Sequence, residues 1–147
     1  MYGQPSATPG LDWSWVDAQL AAAGTYWVIA RTQGHPHPRP VWGIWASDHL
    51  CLSIGTPITL RTLARDPVVT VHLDSGTDVV IVEGRATGRE DGAEAIEAYN
   101  RKYDWNYDAG EYGPLQRVDA DVVLAWRAAG WAGRESFQQT GRWDFRA

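Results

Sequence analysis

"VVTVHLDSGTDVVIVEGRATGRE", residues 68–90, decides the fold class. Val, Ile and Thr crowd both arms, and a three-residue Ser-Gly-Thr link separates them. Residues 68–74 and 78–90 therefore read as the two antiparallel strands of a hairpin. A parallel α/β sheet would need a crossover of a dozen or more residues between such neighbours.

The rest of the chain reads outward from that hairpin. Upstream, "TPITLRTLARDP" (56–67) is a short helix, with Leu60, Leu63 and Ala64 expected inward and the Asp66-Pro67 pair as its stop. "TYWVIART" (25–32), "RPVWGIWA" (39–46) and "HLCLSIG" (49–55) are strands, parted by turns at "QGHPHP" and at Ser47 and Asp48. "LDWSWVDAQLAAAG" (11–24) is a helix with Asp12 as candidate cap, Trp13, Val16 and Leu20 on one face, and Gly24 as its end. Downstream, residues 91–105 form an amphipathic helix with Ile96, Tyr99 and Tyr103 at helical spacing, followed by a loop, "YDAGEYGP". "DVVLAWRAAG" and "GRWDFR" close the chain as strands. The expectation is a mainly β, six-stranded antiparallel barrel with short flanking helices, a form that removes exposed strand edges. Residues 1–10, rich in Pro, Gly and Ser, read as a flexible arm, and 11–147 as a single domain.

Composition narrows the function classes. The formal net charge is −5, which argues against a nucleic-acid surface. Lys102 is the only lysine, so the positive charge is nearly all arginine, the side chain that binds phosphate or carboxylate as a fork. The single cysteine, Cys51, excludes an internal disulfide and reads as a small core side chain. No apolar run is long enough to span a bilayer, the first residues do not resemble a signal peptide, and the expected location is the cytoplasm. His35 and His37, with no third ligand in reach, do not make a metal site; His37 is a candidate substrate contact and His72 a surface or barrel-wall residue. Nine tryptophans exceed what one small core holds, which points to a dimer interface, an aromatic ligand, or both.

The ordered set "YWVIARTQGHPHPRPVWGIW", "RTLARDPVV", "VVIVEGRATG", "AYNRKYDW" and "RWDF" resembles the pyridoxamine 5′-phosphate oxidase-like split β-barrel superfamily, and within it the actinobacterial flavin/deazaflavin oxidoreductase group. The resemblance spans about residues 12–146. It implies a homodimer with two cofactor clefts at the subunit interface, and hydride transfer by coenzyme F420 to a conjugated small molecule. An FMN-dependent oxidase or reductase of the same fold is the alternative, as is a non-catalytic cofactor- or ligand-binding protein. In such a site the cofactor carries the chemistry and the protein binds and orients it, so no catalytic residue is assigned.

By the same resemblance the phosphate lies near Ser53, Gly55, Thr56, Thr59, Arg61 and Thr62, where a helix start offers amides, hydroxyls and a guanidinium. The alternative for Arg61 and Arg65 is plain solvent exposure at a helix end. Arg39, Pro40, Val41 and Trp42 stand beside the ring system, or else Trp42 fills the core or dimer seam. Arg142 and Trp143 reach the ring or tail of the cofactor in the neighbouring cleft, or else Trp143 and Phe145 join the dimer. Relatives often carry lysine at Thr59 and asparagine at Thr62, and the missing lysine removes a charge-assisted contact of about 1.5–3 kcal/mol. They also often carry threonine where this chain has Gly141.

Overall fold

The computed structural model describes residues 2–3, 10–127 and 139–146. The chain runs β1 (Tyr2–Gly3), α1 (Trp13–Ala22), β2 (Tyr26–Ala30), β3 (His37–Val41), β4 (Gly43–Trp45), β5 (His49–Leu52), α2 (Pro57–Arg65), β6 (Val68–His72), β7 (Asp78–Glu90), α3 (Ala93–Tyr103), α4 (Ala109–Tyr112), β8 (Leu115–Arg127) and β9 (Gln139–Asp144). All strand pairs are antiparallel. The 68–90 hairpin is present as β6 and β7, with Val71 opposite Val82.

β2 pairs with β3 and β6, β7 with β6 and β8, and β8 gives its other edge to β5 in its first half and β9 in its second. β4 pairs only with β5. The chain therefore crosses from the β2 side to the β5 side at one residue, Trp42, between β3 and β4, and that step closes a split barrel. Nine strand segments stand among the described residues where six strands were expected. The expected strand 39–46 is broken at Trp42, and the two-residue β1 adds itself to β9. Pro38 and Pro40 are tolerated because β3 is an edge strand, where a missing N–H costs no ladder bond. Residues 4–9 of the expected arm and 128–130 of an expected strand lie outside the described residues.

The main core fills the barrel with side chains such as Tyr26, Val28, Leu50, Leu52, Val71, Val82 and Val118, against Val16 and Leu20 of α1. A second, smaller cluster (Ile44, Cys51, Tyr99, Tyr107 and Leu115) lies under α3. Cys51 is a core residue, as expected, and burial pushes its thiol up to about 11. Among the described residues no helix is long and apolar enough to cross a membrane.

Candidate functional site

The crossing point at Trp42 is fastened from three sides. The Ser53 amide donates to the Trp42 carbonyl at 2.9 Å, tying β3 to the segment that leads into α2. The Gly43 amide donates to the Tyr103 hydroxyl at 2.9 Å, and the Gly43 carbonyl accepts from Lys102 Nζ at 2.8 Å. Only glycine fits here, since a Cβ would lie 2.6 Å from Leu52 Cδ2 and 2.7 Å from the Cys51 carbonyl. The Trp42 ring lies parallel to Tyr103, with centroids 4.5 Å apart, and meets the edge of Trp105 at 6.0 Å and 88°. Trp42 is 43% exposed and Trp105 50%, so the two indoles form an open right-angled aromatic corner. A Trp42 buried in the core is thereby overturned.

α2 begins beside this corner. Thr56 caps the helix without a side-chain bond, Pro57 follows, and the amides of Ile58 and Thr59 have no intrahelical acceptor. Gly55 is the exposed approach to this helix start, and Ser53 and Thr56 are half-buried. The buried face of α2 is Thr59, Thr62 and Leu63, with Leu60 half-buried against the main core, so Leu60 and Leu63 face inward as expected and Ala64 is instead exposed. Thr59 is fully buried, and its Oγ1 has no hydrogen-bond partner among the described residues. Arg61, Ala64 and Arg65 line a shallow outer depression, and neither arginine makes an ion pair among the described residues. Arg65 also borders a neighbouring hollow with Arg31 and Asp66, whose own bond is 2.9 Å long.

The remaining expected residues divide. Arg39 is half-buried and turns Nη1 back to the Pro38 carbonyl at 2.8 Å. Pro40 is exposed, while Val41 packs on the main core. Arg142 is exposed and bonds Asp144 at 3.2 Å. Trp143, expected at a cleft, is instead 4% exposed in the core of its own subunit, 5.3 Å from the Trp13 ring. Gly141 permits this, because a Cβ there would stand 2.2 Å from the Trp143 indole. The fold brings Trp42, Ser53 and the start of α2 together, whereas β9 carries Arg142 and Trp143 along the other half of the β8 edge. His37 is half-buried with Nδ1 unpartnered, and His72 stacks on Trp27 at 6.2 Å. Among the described residues no group of three or more His, Cys, Asp or Glu is placed to hold a metal ion.

The segment "RKYDWNYDAGEY", given no role from its sequence, supplies three residues of this region: Lys102, Tyr103 and Trp105. Lys102 borders a cleft of about 520 Å³ between α3 and strands β4 and β5. Its Nζ also donates to the Tyr26 hydroxyl at 2.8 Å, and burial brings the amine down to about 8. One signal was present in the sequence: the only lysine of the chain sits among aromatic residues. Its partners are 76 and 59 positions away and are not legible locally.

No family model and no curated protein matches the chain. Solved structures do. A FAD-binding protein from Mesorhizobium loti is 16% identical, with a TM-score of 0.64 over 93% of this chain and 98% of that one. A Clostridium acetobutylicum protein related to general stress protein 26, of the pyridoxinephosphate oxidase family, is 10% identical, with a TM-score of 0.63 over 90% and 92%. A structure named F420 reductase is 16% identical, with a TM-score of 0.53 over 80% and 94%. The chain shares the split β-barrel fold of these structures, the fold that the motif order implied.

Proposed function

We propose that the protein is an F420-dependent oxidoreductase that works as a homodimer and passes hydride to a conjugated small molecule. One observation carries the reading: the exposed first turn of α2 offers the amides of Ile58 and Thr59, which have no intrahelical acceptor, and the outer face of the helix carries Arg61, which makes no ion pair among the described residues. A phosphate seated on the amides of Ile58 and Thr59 takes up these orphan donors, and the helix start and Arg61 complement its charge. These residues fit a phosphate-bearing coenzyme without the lysine that relatives often carry at position 59.

When bound, the deazaflavin supplies the hydride chemistry. The chain's own part is to hold and orient. Ser53 bonds Trp42 and so fixes the distance between the phosphate cradle and the strand of Arg39 to Trp42. The Trp42 and Trp105 corner offers a flat apolar wall and a perpendicular one, which suits a planar acceptor and excludes water from one side of it. The solved structures named as F420 reductase and FAD-binding support a coenzyme of this general type on this fold.

The test is titration of the purified protein with F420 and, separately, with FMN, read as quenching of tryptophan and cofactor fluorescence. F420 binding that weakens at least tenfold in Arg61→Ala is expected. Tight FMN binding without F420 binding would shift the assignment to a flavin enzyme. F420 binding with no hydride transfer to any quinone-like acceptor would make the protein a carrier, and unchanged affinity in Arg61→Ala would remove that residue from the cradle.

A further inference from the structure

The cleft over α3 has an apolar side formed by Ile44, Trp45, Ala95 and Ala98, and the chain's only lysine stands at its wall. Lys102 Nζ donates to two oxygens, the Tyr26 hydroxyl and the Gly43 carbonyl, each at 2.8 Å. It lies 4.7 Å from the Tyr26 ring centre and 5.2 Å from that of Tyr103. Neither acceptor is charged. The Tyr26 hydroxyl donates its proton to the Leu20 carbonyl, and burial raises its pKa, so it remains a neutral phenol. No carboxylate pairs with Lys102 among the described residues.

That geometry suits the neutral amine. A neutral amine has two N–H bonds and a lone pair, and two acceptors are present. The ammonium has a third N–H, for which the described residues offer no oxygen acceptor, only the faces of the two tyrosine rings. The fall of Lys102 to about 8 follows from the same desolvation. A lysine desolvated in an apolar pocket is the usual activated amine nucleophile.

We propose that this cleft is a second ligand site, in which the Lys102 amine condenses with the carbonyl carbon of a small aromatic or unsaturated aldehyde. The nitrogen lone pair forms the C–N bond as the carbonyl π pair moves onto oxygen. The two amine protons then leave with that oxygen as water while the C=N bond forms, and nothing is oxidised or reduced. On taking up one proton from solvent the imine nitrogen carries a single N–H, with the Gly43 carbonyl as its acceptor and the tyrosine rings facing its charge. The charged groups sharing the cleft are Arg101 and Glu94 on α3, Glu90 at the end of β7 and Arg117 on β8, the last bonded to Asp119 at 2.7 Å. His49 bonds Asp48, and the Cys51 thiol, held at about 11 by burial, does not compete for the carbonyl at neutral pH. This inference needs neither α2 nor a bound coenzyme.

Salicylaldehyde serves as the probe, added to the whole protein at pH 8 with cyanoborohydride to trap the imine, followed by intact mass and peptide mapping. The α-amino group, of ordinary pKa about 7.7–8.0, is a built-in comparator of similar basicity. The expected result is one adduct on Lys102, formed about tenfold faster than that on the amino terminus and lost in K102R. Ala98→Phe, which fills the cleft, should block the Lys102 adduct while leaving the terminal one. In guanidinium the preference should reverse, because an unfolded lysine returns to about 10.4. Labelling confined to the amino terminus of the native protein overturns the proposal, as does an Ala98→Phe variant labelled at Lys102 at the wild-type rate. The mapping on the unaltered protein decides the matter even if a variant does not fold.

Discussion

Replacing Lys102 by Met should change how stability depends on pH. In the folded chain the amine sits at about 8 against an ordinary 10.5, because burial removes water from the ammonium. At full weight a shift of that size corresponds to about 3 kcal/mol, at about 1.36 kcal/mol per unit. Lys102 is half-buried, so solvent screening reduces this to about 1–2 kcal/mol. The sign follows from proton counting: between pH 8 and 10.5 the unfolded chain holds more protons on this group than the folded one, so stability rises with pH across that window. Below pH 8 the penalty is present in full. Tyr26, whose pKa is raised, binds its proton more tightly when folded and works in the opposite direction above about pH 10. Urea unfolding at pH 7 and 9.5 is therefore the assay. The wild type should gain about 1 kcal/mol over that interval, and Lys102→Met should gain nothing from this group. Met should also cost little at pH 7, because the Tyr26 hydroxyl keeps Leu20 as its acceptor and the Gly43 carbonyl keeps Tyr103 as a donor. An equal rise with pH in both proteins would refute a neutralised Lys102, as would a loss of several kcal/mol at pH 7.

Two further outcomes follow from the packing. Thr59→Val swaps an unpartnered buried hydroxyl for a methyl of the same shape and should stabilise the cofactor-free protein by about 1 kcal/mol; thermal melts read the effect, and a destabilised free protein would contradict the orphaned hydroxyl. Gly141→Thr sets a Cβ 2.2 Å from the Trp143 ring and should cost about 2–3 kcal/mol by displacing it from Trp13, whereas Gly76→Ala, with nothing within 4 Å, should stay near neutral; an unchanged urea midpoint for Gly141→Thr would show that Trp143 packs elsewhere.

The elements that were legible are those whose signal is local. The 68–90 hairpin, both major helices and Cys51 in a core strand are read from spacing and β-propensity within a few residues. On α2 the inward Leu60 and Leu63 were legible but their neighbours were not: Thr59 and Thr62 are polar by type, yet the helix turns them toward the barrel and leaves Ala64 outside. The resemblance of the closing strand to its relatives pointed Trp143 to a cleft or a dimer seam, whereas here Gly141 opens the space that the indole fills. The nine tryptophans divide in a way that counting alone does not show. Trp13, Trp45 and Trp143 share one core, and Trp42 and Trp105 stand outside it.

The pattern of residues alone determined an antiparallel, mainly β chain that reverses at Ser75–Thr77 and breaks into helix before Pro67, since strand alternation, turn chemistry and proline restrictions act over one to four residues. The tertiary structure decided that Trp42 carries the crossing between the two sides of the barrel, that Thr59 lacks a partner, and that Lys102 lies between Tyr26 and Gly43. Burial and hydrogen-bond satisfaction depend on groups brought together from distant positions, and the protonation of an amine depends on the water they displace.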